Sequence, residues 1–427
     1  MIERKISPPI TDAVNFHLEL KPYEKHVLDN GVPVYAVNAG AEEVMSVEMV
    51  FFSGNCFEEK NLVAATTNYL LKNGTSKKNA FQINEHFEYF GSFLSRACYN
   101  ETTTLTLHCL NKHIGKLLPV MEEIICDSVF PEEELLIYKQ NQKQRLSVSL
   151  KKSEFVAGRL IDTYLFGEKH PYGKFTTHEE YDALNRNELF TFYNKYYKEG
   201  NCMIFTAGKL PADLISLVNK HFGQLPLKNG FQKADNPISS DKAPGEKIRI
   251  SNDKNGMQGS IRIARSFPNR HHPDFQKAML LNNIYGGYFG SRLMKNIRED
   301  KGYTYGVHSF LQNHVQHSAW MISTEAGKDV CEAAIEEIYK EMKLLQQEPV
   351  GKDEMKLVRN YMMGSILGGL DGPFQIIARW KNYILNNLDE KHFYEAIDCI
   401  RTATPEELQE MAVKYLNPEE FYELVVV

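Results

Sequence analysis

The sequence lacks a basic surplus and a long apolar run, and each absence excludes a class of protein. Lysine and arginine total 49 against 55 aspartates and glutamates, so the net charge of −6 gives no basic surface for nucleic acid or anionic lipid. No stretch approaches the roughly 18 apolar residues that a membrane-spanning helix needs. The first residues, MIERKISPPITDAVNF, place no apolar run behind their charges, so we predict no secretory signal and a cytoplasmic location.

Cysteine is also sparse. The seven cysteines are an odd number, and the two nearest, Cys98 and Cys109, are eleven residues apart. This spacing predicts neither a disulfide framework nor a Cys-x-x-Cys metal site. A reducing compartment is therefore expected.

The predicted elements of the first half follow a clear order. Alternating apolar residues at 47–51 predict a strand, and the segment 61–72 predicts an apolar helix. Two strands are predicted near 92–99 and 102–109. An apolar stripe at helical spacing over 114–125 predicts a further helix.

The second half repeats that order. A strand at 261–263 precedes a helix at 274–284, two strands near 303–311 and 318–324, and a helix with one apolar face over 331–345. Equivalent positions are separated by 213, 215 and 219 residues (61 to 274, 113 to 328 and 130 to 349). Offsets that stay this close indicate an internal duplication, because local insertions fall in loops.

A polar segment separates the two halves. Residues 228–247 are rich in Gly, Pro, Asp, Ser and Lys, which is typical of a linker. We predict an N-terminal half over 24–228, a linker over 229–246 and a C-terminal half over 247–427. Each half is expected to be an α+β unit, with a mostly antiparallel sheet and helices packed on one face.

Short motifs in both halves point to one family. The first half contains KNGT at 72–75, FEYFGSFL at 87–94, LFG at 165–167 and HPYG at 170–173, and the second contains GGYFGSRL at 286–293, IRE at 297–299 and GYTY at 302–305. In this order the motifs resemble those of the insulinase/pitrilysin-type zinc metallopeptidases over nearly all of residues 24–427. The resemblance implies a clamshell-like fold of two homologous halves.

The same resemblance implies an inverted zinc motif, His-x-x-Glu-His, in the segment NLVAATTNYLLKNGT at 61–75. The five positions instead hold Ala65, Thr66, Thr67, Asn68 and Tyr69. A methyl group, a carboxamide and a phenol cannot bind zinc or activate a water on it. We therefore predict that this chain binds no metal or other cofactor, and that zinc belongs to a partner subunit.

A third zinc ligand, a downstream glutamate, is also implied by the resemblance. In LIDTYLF at 160–166 only Asp162 and Thr163 are near that place. One carboxylate cannot hold zinc without the two imidazoles. The loss is thus expected at all three ligand positions.

Two side chains of the second half match a retained motif of the family. The resemblance implies that Arg298 and Tyr305 bind the peptide and stabilise the oxyanion at a zinc site. A guanidinium offers five fixed donors, and a phenol offers one donor to a developing negative oxygen. Without the motif, Arg298 would be interpreted as a solvated helix charge and Tyr305 as a strand aromatic.

These observations give one hypothesis and two alternatives. The chain is expected to be a zinc-free, peptide-binding subunit of a heteromeric zinc metallopeptidase, inactive alone, with a homologous zinc-bearing subunit as partner. A homodimer is left open, and neither nucleic acid nor membrane is an expected partner. One alternative is a structural subunit, like the family's respiratory core proteins. The other is a peptidase with a different metal site built from His271, His272 or Asp162, although an ordinary surface loop is the simpler interpretation of those histidines.

Overall fold

The computed structural model describes residues 11–238, 245–253 and 255–427, so residues 239–244 of the predicted linker lie outside the described part. Within these residues eleven strands form two sheets. The strands are β1 (Glu24–Val27), β2 (Pro33–Asn38), β3 (Val44–Phe51), β4 (Phe93–Cys98), β5 (Thr103–Leu110), β6 (Cys202–Gly208), β7 (Lys247–Ile250), β8 (Gln258–Phe267), β9 (Thr304–Asn313), β10 (Ser318–Gly327) and β11 (Tyr422–Val426).

Fourteen α-helices occur in the same described ranges. They are α1 (Val63–Leu70), α2 (Ala80–Tyr89), α3 (Ile114–Asp127), α4 (Glu132–Ser149), α5 (Ser153–Phe166), α6 (His178–Ala183), α7 (Arg186–Tyr193), α8 (Leu214–Phe222), α9 (Phe275–Asn282), α10 (Cys331–Gln347), α11 (Lys352–Gly368), α12 (Pro373–Leu385), α13 (Glu390–Thr402) and α14 (Pro405–Tyr415). Wider π-helical turns cover Asn194–Lys198, Asn283–Gly287 and Met294–Asp300.

The two sheets share one topology. The first has the strand order β1-β2-β6-β3-β5-β4, and the second has β7-β11-β8-β10-β9. In each sheet one pair is parallel, β2 with β6 and β7 with β11, and the remaining pairs are antiparallel. Omitting β1, the orders and directions correspond strand for strand. The predicted fold of two homologous, mostly antiparallel halves is therefore confirmed.

The helices of each half cover one face of their own sheet. On the first sheet, apolar side chains of β3 and β5 pack against α1, α3, α7 and α8. On the second sheet, β8, β9 and β10 pack against α9, α10 and α14. The stripe predicted over 114–125 is the buried face of α3, and the face predicted over 331–345 is that of α10.

The opposite face of each sheet is covered by the other half of the chain. Trp380 and Ile376 of α12 pack on the first sheet, against residues such as Phe205 of β6. Conversely, Ile161 of α5 packs on the second sheet beside Leu424 of β11. The strands divide at the predicted linker, whereas α5 and α12 are exchanged between the halves. None of the helices in the described ranges is long and apolar enough to cross a membrane.

Candidate functional site

Helix α1, which carries the five motif positions, begins at a strained residue. Leu62 precedes it in the left-handed region, with φ of 74°, and Asn61 Oδ1 accepts from the Leu62 backbone N–H at 3.1 Å. Glu58 Oε2 accepts from the Ala64 N–H at 2.8 Å, and Lys174 Nζ pairs with the other carboxylate oxygen at 2.5 Å. Burial raises the pKa of Glu58, and Lys174 opposes that rise. The start of the helix is thus fixed by side chains from two segments, the residues just before it and the loop that carries Lys174.

The motif positions have become part of a packed surface. Asn68, at the place of the glutamate, is buried and donates from Nδ2 to the Thr104 carbonyl at 3.3 Å and to the Tyr197 hydroxyl at 3.1 Å. Ala65 is half-buried, and Tyr69, one turn later on the same helix face, is 39% exposed. The hydrogen bonds of Asn68 therefore join α1 to the first sheet. Its side-chain amide is not exposed to solvent.

Two residues that the sequence analysis did not identify surround Tyr69. The guanidinium carbon of Arg96, on edge strand β4, lies 4.4 Å from the centroid of the Tyr69 ring. The ring of Tyr138, on α4, lies 4.7 Å from the same centroid. Burial raises the pKa of Tyr138 to about 12 and lowers the pKa of Arg96. Nothing in the sequence indicates these contacts, because they join three elements that are distant along the chain.

This arrangement does not fit a zinc ion. Tyr69 is engaged with Arg96 and Tyr138, Ala65 has no ligating atom, and the amide nitrogen of Asn68 is already bonded to two oxygen atoms. A guanidinium beside the former ligand position would repel a divalent cation. At these positions the structure instead has cation–aromatic packing of Arg96 on Tyr69.

Asp162, which the sequence analysis placed near the third ligand, lies elsewhere. It belongs to α5, which packs on the second sheet, and its Oδ1 accepts from Gln312 Nε2 at 3.2 Å. Burial raises the pKa of Asp162 to about 6. The helix that meets the motif is α4, through Tyr138, so the placement of Asp162 near the motif is wrong. The error arose because sequence order does not show on which sheet α5 packs.

Arg298 and Tyr305 do come together. They line one open depression of about 350 Å³ at the end of the second sheet, with Glu325 and Gln258 also on its wall. The guanidinium carbon of Arg298 lies 4.6 Å from the centroid of the Phe289 ring, which is itself 62% exposed. No carboxylate of the described residues forms an ion pair with Arg298, whereas Glu325 pairs with Arg262 Nη1 at 2.9 Å. Arg298 is therefore held by an aromatic face and keeps its hydrogen-bond donors available.

A β-bulge turns Tyr305 outward. The register between β9 and β10 shifts, because Val307 faces Thr324 while Thr304 faces Ala326. Strict alternation would put Tyr305 on the same face as the buried Val307. The inserted residue reverses that face, and Tyr305 is 92% exposed.

Two hydroxyl groups stabilise the bulge. Thr324 Oγ1 donates to the Gly306 carbonyl at 2.9 Å, and Thr304 Oγ1 accepts from the Gly306 N–H at 3.1 Å. Just before the strand, Gly302 adopts a φ of 67°, and the Tyr303 N–H donates to the Ile297 carbonyl at 3.0 Å. This tight turn returns the chain beside the helical turn of Arg298.

The glycine pair in GGYFGSRL serves packing. A Cβ on Gly286 would lie 2.7 Å from Ser309 Cβ and 2.9 Å from the Ser309 nitrogen, so only glycine lets this turn approach β9. Ser309 Oγ donates to Asn282 Oδ1 at 2.7 Å and accepts from Trp320 Nε1 at 2.9 Å. This buried contact fixes the segment that leads to Arg298.

The histidines of the alternative metal site do not converge with Asp162. His271 Nε2 contacts the Asn386 carbonyl at 2.8 Å, while the Asp162 carboxylate is bonded to Gln312. Among the described residues, no group of three His, Cys, Asp or Glu side chains is arranged to hold a metal ion.

Comparison with known proteins gives two matches to one family. Residues 34–169 match the profile described as Insulinase (Peptidase family M16), and residues 183–362 match the profile described as Peptidase M16 inactive domain. An uncharacterized zinc protease, YmxG of Bacillus subtilis, is 22% identical over 366 residues, which cover 85% of this chain and 88% of the relative. The mitochondrial-processing peptidase subunit beta of Neurospora crassa is 25% identical over 276 residues, covering 61% of this chain and 56% of the relative.

Solved structures share the fold. A peptidase M16 inactive domain from Pseudomonas fluorescens superposes with a TM-score of 0.84 at 21% identity, covering 95% of this chain and 98% of that one. A chain of complex III2 from Candida albicans superposes with a TM-score of 0.72 at 16% identity, covering 94% and 95%. The latter structure and the subunit beta are by name parts of larger assemblies. The chain belongs to the insulinase family of peptidases, family M16.

Proposed function

We propose that this chain is a zinc-free, peptide-binding subunit of a heteromeric zinc peptidase. The observation that carries the proposal is a contrast between the two halves. At the family's zinc motif, Asn68 is bonded into the first sheet and Tyr69 packs against Arg96. In the second half, Arg298 and the exposed Tyr305 line one open depression. The zinc-motif positions on α1 hold no zinc-binding side chains, whereas the depression of Arg298 and Tyr305 has hydrogen-bond donors that are free to contact a peptide.

The role of each side chain follows from its donors. The guanidinium of Arg298 can donate to a peptide carbonyl, or to the oxyanion that forms when a peptide bond is attacked. The Tyr305 hydroxyl can donate to the same oxygen. Because Ala65, Asn68 and Tyr69 at the motif positions are not suited to holding the metal, activation of water falls to a homologous partner subunit with an intact His-x-x-Glu-His motif.

Reconstitution with such a partner tests the proposal. The purified chain alone should bind no stoichiometric zinc by elemental analysis and should cleave no peptide. The mixed complex should cleave a peptide library. Within it, Arg298→Ala should lower kcat by about 100-fold, the usual size of the loss of one oxyanion donor. Tyr305→Phe, which removes one oxygen atom, should also lower kcat.

Two controls sharpen the result. Tyr394→Phe removes a hydroxyl from a tyrosine on α13 that is 41% exposed and should leave kcat unchanged. Comparison of kcat with KM then separates oxyanion stabilisation from simple peptide binding. If an assembled complex that carries both Arg298→Ala and Tyr305→Phe cleaves at the wild-type rate, the chain belongs to the structural class instead. Zinc binding and cleavage by the chain alone would support the peptidase with a different metal site.

A further inference from the structure

A second cavity lies between the loop that follows β8 and the connection from α12 to α13. Its volume is about 540 Å³, and its wall includes Arg270, His271, His272, Lys391 and His392. It shares no lining residue with the depression of Arg298 and Tyr305. A cavity of this size can enclose a small molecule.

Arg270 is a cation of this cavity that forms no ion pair with a described carboxylate. It is half-buried, and its Nη1 donates to Asn382 Oδ1 at 2.6 Å. Burial lowers the pKa of Arg270, and no carboxylate in the described parts of the chain forms an ion pair with it. A partly desolvated guanidinium without an anionic partner is unfavourable, and a bound anion would relieve that cost.

The two carboxylates of the cavity wall are already engaged. Asp389 Oδ1 caps α13 by accepting from the Lys391 N–H at 3.0 Å. Glu395 Oε1 pairs with Lys391 Nζ at 3.4 Å. Neither group forms an ion pair with Arg270, whose guanidinium therefore has no direct carboxylate partner in the cavity wall.

The imidazoles add donors rather than acceptors. His272 Nδ1 accepts from the Asp274 N–H at 3.1 Å, which assigns the proton of the neutral ring to Nε2. Gln276 Nε2 lies 3.1 Å from His392 Nε2 and 3.5 Å from His392 Nδ1. An amide nitrogen only donates, so it can bond the unprotonated ring nitrogen but cannot accept from the ring N–H. Each ring thus has one N–H that these contacts leave free, beside the unused donors of Arg270.

We propose that this cavity binds a small molecule through its phosphate group, with Arg270, His272 and His392 as donors to the phosphate oxygens. Donors on three side chains suit the three terminal oxygens of a phosphate better than the two of a carboxylate. The volume left around the anion would hold the organic part of the ligand. Because Arg270 follows the second sheet and His392 begins a helix packed on the first, the ligand would join the two halves.

Titration calorimetry of the full chain with inorganic phosphate tests the proposal. One saturable site is expected, and acetate at the same concentrations should bind more weakly. Phosphate should also raise the melting temperature, since a ligand that binds only the folded state stabilises it. Arg270→Gln should weaken phosphate binding by about 10- to 100-fold, the effect of losing charged hydrogen bonds.

Arg145→Gln is the matched control, because it makes the same charge change at an exposed position of α4 and should leave binding unchanged. Arg270→Lys keeps the positive charge but not the planar set of guanidinium donors, so its phosphate affinity should lie between those of the wild type and Arg270→Gln. His392→Asn gives an independent test if the arginine variants lose their folded circular dichroism spectrum. Absence of saturable phosphate binding, equal losses in Arg145→Gln and Arg270→Gln, or acetate binding as tight as phosphate would overturn the proposal.

Discussion

Replacing Asp162 by asparagine should make the protein more stable at neutral pH. The carboxyl group is half-buried between α5 and the second sheet, and desolvation raises its pKa from 3.8 to about 6. An acid whose pKa is higher in the folded state stabilises the fold below its unfolded pKa, and that contribution is lost as the pH rises through about 6. Above this value the folded protein must hold a partly desolvated carboxylate.

The shift sets the size of the effect. One pKa unit corresponds to about 1.4 kcal/mol. The rise to about 6 therefore means that the contribution of Asp162 to the free energy of unfolding falls by about 3 kcal/mol between low pH and neutral pH. An asparagine does not ionise, and its oxygen can still accept from Gln312. The variant should therefore match the wild type near pH 4 and exceed its free energy of unfolding by up to about 3 kcal/mol near pH 8.

Guanidinium unfolding of both proteins at several pH values measures this difference. Asp213→Asn, at an exposed carboxylate before α8, is the control and should show no comparable gain near pH 8. A difference between Asp162→Asn and wild type that does not change with pH would refute the reasoning. Added zinc should stabilise neither protein; stabilisation of the wild type alone would support a metal site that includes Asp162.

Three further substitutions test the packing of the two sites, each measured by thermal or guanidinium unfolding. Asn68→Ala should cost about 1–3 kcal/mol, because the buried Tyr197 hydroxyl and a strand carbonyl lose their donor. Gly286→Ala should cost about 1–3 kcal/mol through overlap with Ser309, whereas Gly158→Ala, with open space at the new Cβ in a helix, should gain about 0.5–1 kcal/mol. Ser309→Ala should cost about 1–3 kcal/mol, because it leaves a buried indole N–H without an acceptor. If Gly286→Ala and Gly158→Ala are equally stable, the close approach of Gly286 to β9 is contradicted. If Asn68→Ala or Ser309→Ala leaves the free energy of unfolding unchanged, the hydrogen bonds described for that side chain are contradicted.

The repeated architecture could be predicted because it depends on local periodicity. The alternation at 47–51 corresponds to β3 (Val44–Phe51), and the apolar helix at 61–72 corresponds to the shorter α1 (Val63–Leu70). Both patterns are properties of neighbouring residues, and the similar offsets between the repeats add a second, independent signal. The motif around Arg298 was also visible, since its residues are contiguous.

What could not be predicted depends on pairing between distant segments. The outward direction of Tyr305 follows from a register shift against β10, which the sequence of β9 alone does not contain. An apolar stripe on α5 shows that one face is buried but not by which sheet, so Asp162 was assigned to the wrong surroundings. The contact of Arg96 with Tyr69 has the same origin, because it depends on the position of β4 beside α1.

The exchange of α5 and α12 has a mechanical consequence. A sheet whose back is covered by the opposite half cannot swing away without exposing that apolar surface, so the packing opposes any opening of the two halves about the connection between them. Proteolytic nicking of this connection should leave two fragments that co-migrate on a native gel. In the proposed complex, any widening that admits a peptide would therefore occur at the junction between the two subunits, where no such interlock opposes it.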